Sequence, residues 1–144
     1  MVAAAAEPLA GSLPLPRTRL IGREAQRSTA KALILQDTVP LLTLSGTGGV
    51  GKTRLALAVA ADVADQFADG ITWVDLAPLS EPDLVPMAVA NALGIVPGSH
   101  RPVLGELAHH LRARQSLLVL DNCEHVLAGA GELAAALLVS CPAL

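Results

Sequence analysis

Residues 46–53 read Gly-Thr-Gly-Gly-Val-Gly-Lys-Thr, between the apolar run Val39-Pro40-Leu41-Leu42-Thr43-Leu44 and an Ala/Leu-rich stretch with helical spacing. Gly46, Gly48, Gly49 and Gly51 allow backbone turns closed to residues with a Cβ, so successive N–H groups can wrap an anion. A helix starting near Gly51 adds its unpaired N–H groups and the positive end of its dipole at the same point. Lys52 contributes a full charge, and Thr53 a hydroxyl of the kind Mg²⁺ prefers among its oxygen ligands. The octet therefore reads as a strand–loop–helix cradle for a nucleoside triphosphate. A glycine-rich turn with a surface lysine is the plainer reading, and the setting argues against it.

The 144 residues suit one domain with a real core, although a short one for this class. Hydrophobic content is 52%, with Trp73 and Phe67 the only aromatics, so the core must be built from Ala, Leu and Val. A net charge of -3 without a basic cluster argues against a direct grip on nucleic acid. Cys123 and Cys141 lack C-x-x-C spacing and point to a reducing, cytoplasmic setting. The start has no positively charged n-region, and Glu132 interrupts the longest apolar stretch near the end, so neither a signal peptide nor a membrane span is expected.

Residues 1–17 carry Pro8, Pro14 and Pro16 and read as a disordered leader or linker, leaving 18–144 as the folded part. The patterning predicts a helix from Gly22 to about Gln36, a strand from Val39 to Ser45, and the loop with its helix to about Gln66. A second strand follows at Ile71–Leu76, then a helix entered at Ser80-Glu81-Pro82-Asp83 and closed at Gly94. A loop between Pro97 and Pro102, a helix over 103–113, a strand at Leu117–Leu120 and a helix over 124–139 complete the chain. The order αβαβααβα implies an α/β fold, a parallel sheet with helices on both faces in three αβα layers, with about three strands present. No internal repeat is visible.

The strand Leu117-Leu118-Val119-Leu120 ends in Asp121. Ligands of open α/β sheets gather at the carboxyl ends of the strands, so Asp121 should meet the 46–53 loop and, with Thr53, hold Mg²⁺. Asp121-x-x-Glu124 also has capping-box spacing, so Asp121 can cap the next helix as well. Many ATPases with an extra central strand place an acid directly after this aspartate, but here Asn122 stands there and an amide cannot accept a proton. Glu124 is the nearest acid, a catalytic base or else a charge at a helix N-terminus. His109 and His110 diverge by about 100° of arc on one helix and cannot chelate one metal, while His100 sits in a loop and His125 has no partner. Trp73 reads as packing rather than a base platform, and Arg112 and Arg114 as solvated surface.

With these residues in view, the chain resembles the NB-ARC-like nucleotide-binding domain of the STAND class of signal-transduction ATPases, in particular those of LuxR-type and antibiotic-regulator-type bacterial transcriptional regulators. Leu20-Ile21-Gly22-Arg23-Glu24, the 46–53 octet, Trp73-Val74-Asp75-Leu76-Ala77-Pro78-Leu79 and LLVLDNCEHV at 117–126 carry the match. The resemblance implies that Ile21, Gly22 and Arg23 border an adenine. Gly46, Thr47, Gly48, Gly49, Val50, Gly51, Lys52, Thr53 and Arg54 complete the nucleotide-binding set. It implies ATP/ADP with Mg²⁺ as cofactors, Lys52 and Glu124 as catalytic candidates, and Asn122 as normal at its position. It further implies a strand between the P-loop strand and the Asp121 strand, followed by a helical lid and a winged helix, which lie beyond the Asp121 helix. Partners would be other domains of the same regulator or further copies.

Three functions compete at this point. An ATP/ADP switch with slow hydrolysis leads. A nucleotide-dependent oligomerisation module that never hydrolyses is the second. A small-molecule kinase is the third, and it requires the P-loop strand to pair directly with the Asp121 strand.

Overall fold

The computed structural model describes residues 13–15 and 20–144; the leader proposed for 1–17 falls almost wholly outside them. Helix α1 spans Glu24–Ile34 and α2 spans Lys52–Val63 with a 3-10 turn at Ala64–Gln66. Strand β1 spans Ile71–Asp75, α3 Val85–Ala92, α4 Val103–Leu111, β2 Leu117–Asp121 and α5 Leu127–Ser140. Two further 3-10 turns, Pro82–Leu84 and Glu124–Val126, lead into α3 and α5. The helix predicted from 124 thus starts as a 3-10 turn. The end of α3 shows why Gly94 was legible as a stop. Gly94, at φ 68°, lets its own N–H reach Asn91 O and the N–H of Ile95 reach Ala90 O, the paired bonds of a Schellman motif.

The sheet has two parallel strands in the register Ile71↔Leu117 through Asp75↔Asp121. Period-two alternation then assigns the faces. Val74, Leu118 and Leu120 pack into the main core with α3, α4 and α5, where Leu76, Leu107, Leu111 and Leu137 are all but fully buried. Each such leucine stabilises the fold by about 1.5–3 kcal/mol. Ile71, Leu117 and Val119 face the other way, against Ala60 and Val63 of α2. Helices therefore cover both faces. This is the architecture of an incomplete P-loop α/β fold, as the patterning implied.

The strand count differs from expectation. Residues 39–45 are extended but belong to no ladder among the described residues. Leu42 and Leu44 still bury their inner side against Ala30, Leu55 and Val59, while Leu41 is exposed. Side-chain packing has fixed the segment without backbone pairing. A cavity of about 290 Å³ runs between Pro40–Leu44 and β2, where the resemblance implied another strand. The direct pairing that a kinase reading requires is not made.

Candidate functional site

Asp121 ends β2 on the sheet face that carries Leu117 and Val119, the face toward α2. Its carboxylate consequently meets the first turn of that helix, where the Thr53 hydroxyl donates to Asp121 Oδ1 at 3.0 Å. Two oxygen ligands 68 positions apart in the chain thus converge, a pair that suits Mg²⁺. The turns at Cys123 and Val126 that start the following helices have no side-chain capping bond, so Asp121 does not act as their cap.

The loop turns as its glycines allow. Gly49 and Gly51 sit at φ 79° and 87°, the left-handed region, and Gly51 is the N-cap of α2. Lys52 folds back over the loop: Nζ donates to Gly46 O at 2.8 Å and Thr47 O at 3.3 Å, and lies 3.2 Å from Glu124 Oε1. An ammonium has three N–H donors, and here each has an acceptor. Glu124 is the one side-chain acceptor of that set, and it is exposed. The carboxyl's bond with its own backbone N–H and then the nearby Lys52 ammonium hold it below the usual carboxylate range.

The 20–24 segment reaches the same loop. Arg23 Nη2 donates to Val50 O at 2.5 Å, and the Gly22 N–H to Glu24 Oε1 at 3.3 Å. Ile21 is 82% exposed, an apolar side chain left in the open. Arg27 secures α1 to α2 by a two-pronged contact with Asp62, at 2.6 and 2.5 Å. Arg54 is exposed in the first turn of α2. The structure thus groups Arg23, Val50, Lys52, Thr53, Asp121 and Glu124 at one end of the sheet.

Other residues fall elsewhere. Trp73 is half-buried in mid-strand opposite Val119. His125 Nε2 bonds Leu79 O at 2.8 Å, and burial lowers the pKa of His110. Among the described residues no group of three or more His, Cys, Asp or Glu converges as a metal site. No helix there is long and apolar enough to cross a membrane.

Sequence reasoning passed over Asp75, Arg27 and Gly129. Asp75 faces Asp121 in register, and its Oδ1 accepts from Asn122 Nδ2 at 2.8 Å and from the Ala77 N–H at 3.0 Å. The signal available was its place at the end of an apolar strand, like Asp121.

Comparison with known proteins fits this arrangement. The model of the NB-ARC domain matches residues 23–126. The chain belongs to the NB-ARC family. A Mycobacterium tuberculosis protein named as an HTH-type transcriptional regulator is 43% identical over 114 residues, 79% of this chain and 12% of the relative. Regulatory protein AfsR of Streptomyces griseus is 38% identical over 87 residues, 55% of this chain and 9% of AfsR. A WD repeat-containing protein of Nostoc is 29% identical over 123 residues, 74% of this chain and 9% of its own. This NB-ARC chain thus spans about an eighth of the regulator it matches best among these. No solved structure matches it.

Proposed function

We propose that residues 18–144 are the N-terminal part of a nucleotide-binding domain that switches a cytoplasmic bacterial transcriptional regulator between ATP and ADP states, with slow hydrolysis as the reset. The observation that carries this is the convergence of Lys52, Thr53, Asp121 and Glu124 around one loop. Thr53 and Asp121 would hold Mg²⁺, which when bound neutralises phosphate charge. The base would lie beside Ile21, Gly22 and Arg23, and the phosphates along Gly46 to Arg54.

The ion pair suggests how the site senses a triphosphate. The ammonium of Lys52 already uses all three donors, so a terminal phosphate must replace one acceptor, and Glu124, a side chain that can rotate away where the Gly46 and Thr47 acceptors are backbone carbonyls, is the one most easily released. The freed carboxylate can then orient water toward the terminal phosphorus. A P–O bond to that water forms, the P–O bond to ADP breaks, and the water proton passes by way of the Glu124 carboxylate to the released phosphate. The developing charge is met by Lys52 and the loop N–H groups. A switch needs different contacts in its two states, and Glu124 paired or released supplies that difference.

Titrating the protein with ATP and ADP in the presence of Mg²⁺, alongside phosphate release, tests the proposal. Different affinities for the two nucleotides are expected. Lys52→Ala should weaken binding by about 10- to 100-fold, the loss of a charge-assisted contact. Equal affinities with equal conformational readouts would defeat the switch. Tight binding with no phosphate release would favour the oligomerisation module.

A further inference from the structure

We propose that Asp75 is a positioning residue for the nucleotide site: through the side chain of Asn122 it fixes the turn after Asp121 and so sets where Glu124 stands. This rests on the functional reading above for its catalytic consequence, but its geometry is independent of that reading.

Asn122 is the only non-glycine among the described residues at positive φ, 56°. Asparagine tolerates the left-handed region better than most residues, yet at some cost, so something must hold it there. The Asp75 carboxylate does. Its Oδ1 takes the Asn122 amide at 2.8 Å and the Ala77 N–H at 3.0 Å, and neither bond uses Oδ2. The Ala77 bond closes a local turn around the aspartate. The carboxylate is thereby anchored on its own strand before it grips the neighbouring one. Backbone pairing continues beside it, with the Leu76 N–H on Asp121 O at 2.9 Å. Two residues past this clamp, Glu124 meets Lys52 at 3.2 Å. A single left-handed residue turns the chain sharply. Releasing Asn122 into another region would therefore swing Glu124 away from the loop. Asp75 itself touches none of the loop residues in these bonds, so its influence passes through Asn122.

The test uses the full chain with Asp75→Ala, Asp75→Val and the conservative Asp75→Asn, whose amide oxygen can still accept both bonds that fall on Oδ1. Phosphate release from Mg-ATP, Mg-ADP affinity and the ¹³C resonance of the Glu124 carboxyl are measured on each. Asp75→Ala and Asp75→Val should lower kcat by about 5- to 20-fold, the loss of a hydrogen bond that orients a reacting group, with ADP affinity within about twofold. Their Glu124 resonance should move toward that of Lys52→Ala, whereas Asp75→Asn should keep both kcat and the resonance near those of the unaltered chain. An unmoved resonance in Asp75→Ala and Asp75→Val overturns the proposal, as does a resonance in Asp75→Asn that moves as far as theirs. If the unaltered chain releases no phosphate, the hydrolysis reading fails on its own. The resonance and its retention in Asp75→Asn then decide the positioning role. Should Asp75→Ala not fold, Asp75→Val and Asp75→Asn carry the same decision.

Discussion

The Thr53 hydroxyl and the Asp121 carboxylate stand 3.0 Å apart, although 68 positions separate them in the chain. Thr53 lies in the first turn of α2 and Asp121 closes β2, so this bond joins the glycine-rich loop to the sheet. Removing either partner should uncouple nucleotide binding from magnesium. Thr53→Ala and Asp121→Asn are expected to bind ATP with an affinity that Mg²⁺ raises far less than in the unaltered chain. Calorimetry with and without Mg²⁺ checks this, and an undiminished magnesium effect in both variants would remove these residues from the metal site.

On the proposed mechanism, Glu124 should separate binding from chemistry. Glu124→Gln keeps the shape but neither pairs with Lys52 as an ion nor polarises water. ATP affinity should stay level or rise, because Lys52 is relieved of a competing anion, while phosphate release falls by about 100-fold or more, the scale of a lost general base. Single-turnover phosphate release beside nucleotide titration checks both. A normal rate in Glu124→Gln would move the catalytic role elsewhere.

The Arg27–Asp62 contact predicts a pH dependence of stability. The side-chain bond from Arg27 lowers the Asp62 pKa below its ordinary value of 3.8. A depressed folded pKa means the stabilisation is complete above the unfolded value and is lost as pH falls through the lower folded one. Arg27 is 42% exposed, so solvent screening limits the contribution to about 0.5–1 kcal/mol. Urea unfolding of Arg27→Ala should show that deficit at pH 7. The gap from the unaltered protein should close as the pH drops well below 3.8.

Two glycines of α5 should respond oppositely to alanine. A Cβ on Gly129 would lie 2.2 Å from the Pro82 carbonyl oxygen, whereas one on Gly131 meets nothing within 4 Å. Alanine gains about 1 kcal/mol over glycine in a helix. At Gly131 that gain stands, so Gly131→Ala should raise the melting temperature. At Gly129 the obstacle is backbone that cannot rotate aside, and overpacking of about 1–3 kcal/mol outweighs the gain. Thermal melts of the two variants decide it.

Much of this chain is local information. The octet at 46–53, the apolar strands ending at Asp75 and Asp121, and the stop at Gly94 are written in short-range patterns. Glycine's access to positive φ and the periods of 2 and 3.6 are properties of a few adjacent residues. Hence the helices, the α/β class and the loop with Lys52 and Thr53 were legible. So was the meeting of Asp121 with that loop, because strand ends in a parallel sheet lie together. Pairing between distant segments was not. Residues 39–45 have the composition of a strand, but a strand needs a neighbour's backbone, and only packing against Ala30, Leu55 and Val59 holds them extended. Asp75 is one acid among many until β1 and β2 align in register and Asn122 turns to meet it. The sequence by itself determined where the glycine-rich loop lies and which side chains enter the helix after it. Only the tertiary structure decided which side chains hold that site in place, because register and helix packing bring together charges that lie far apart in the chain.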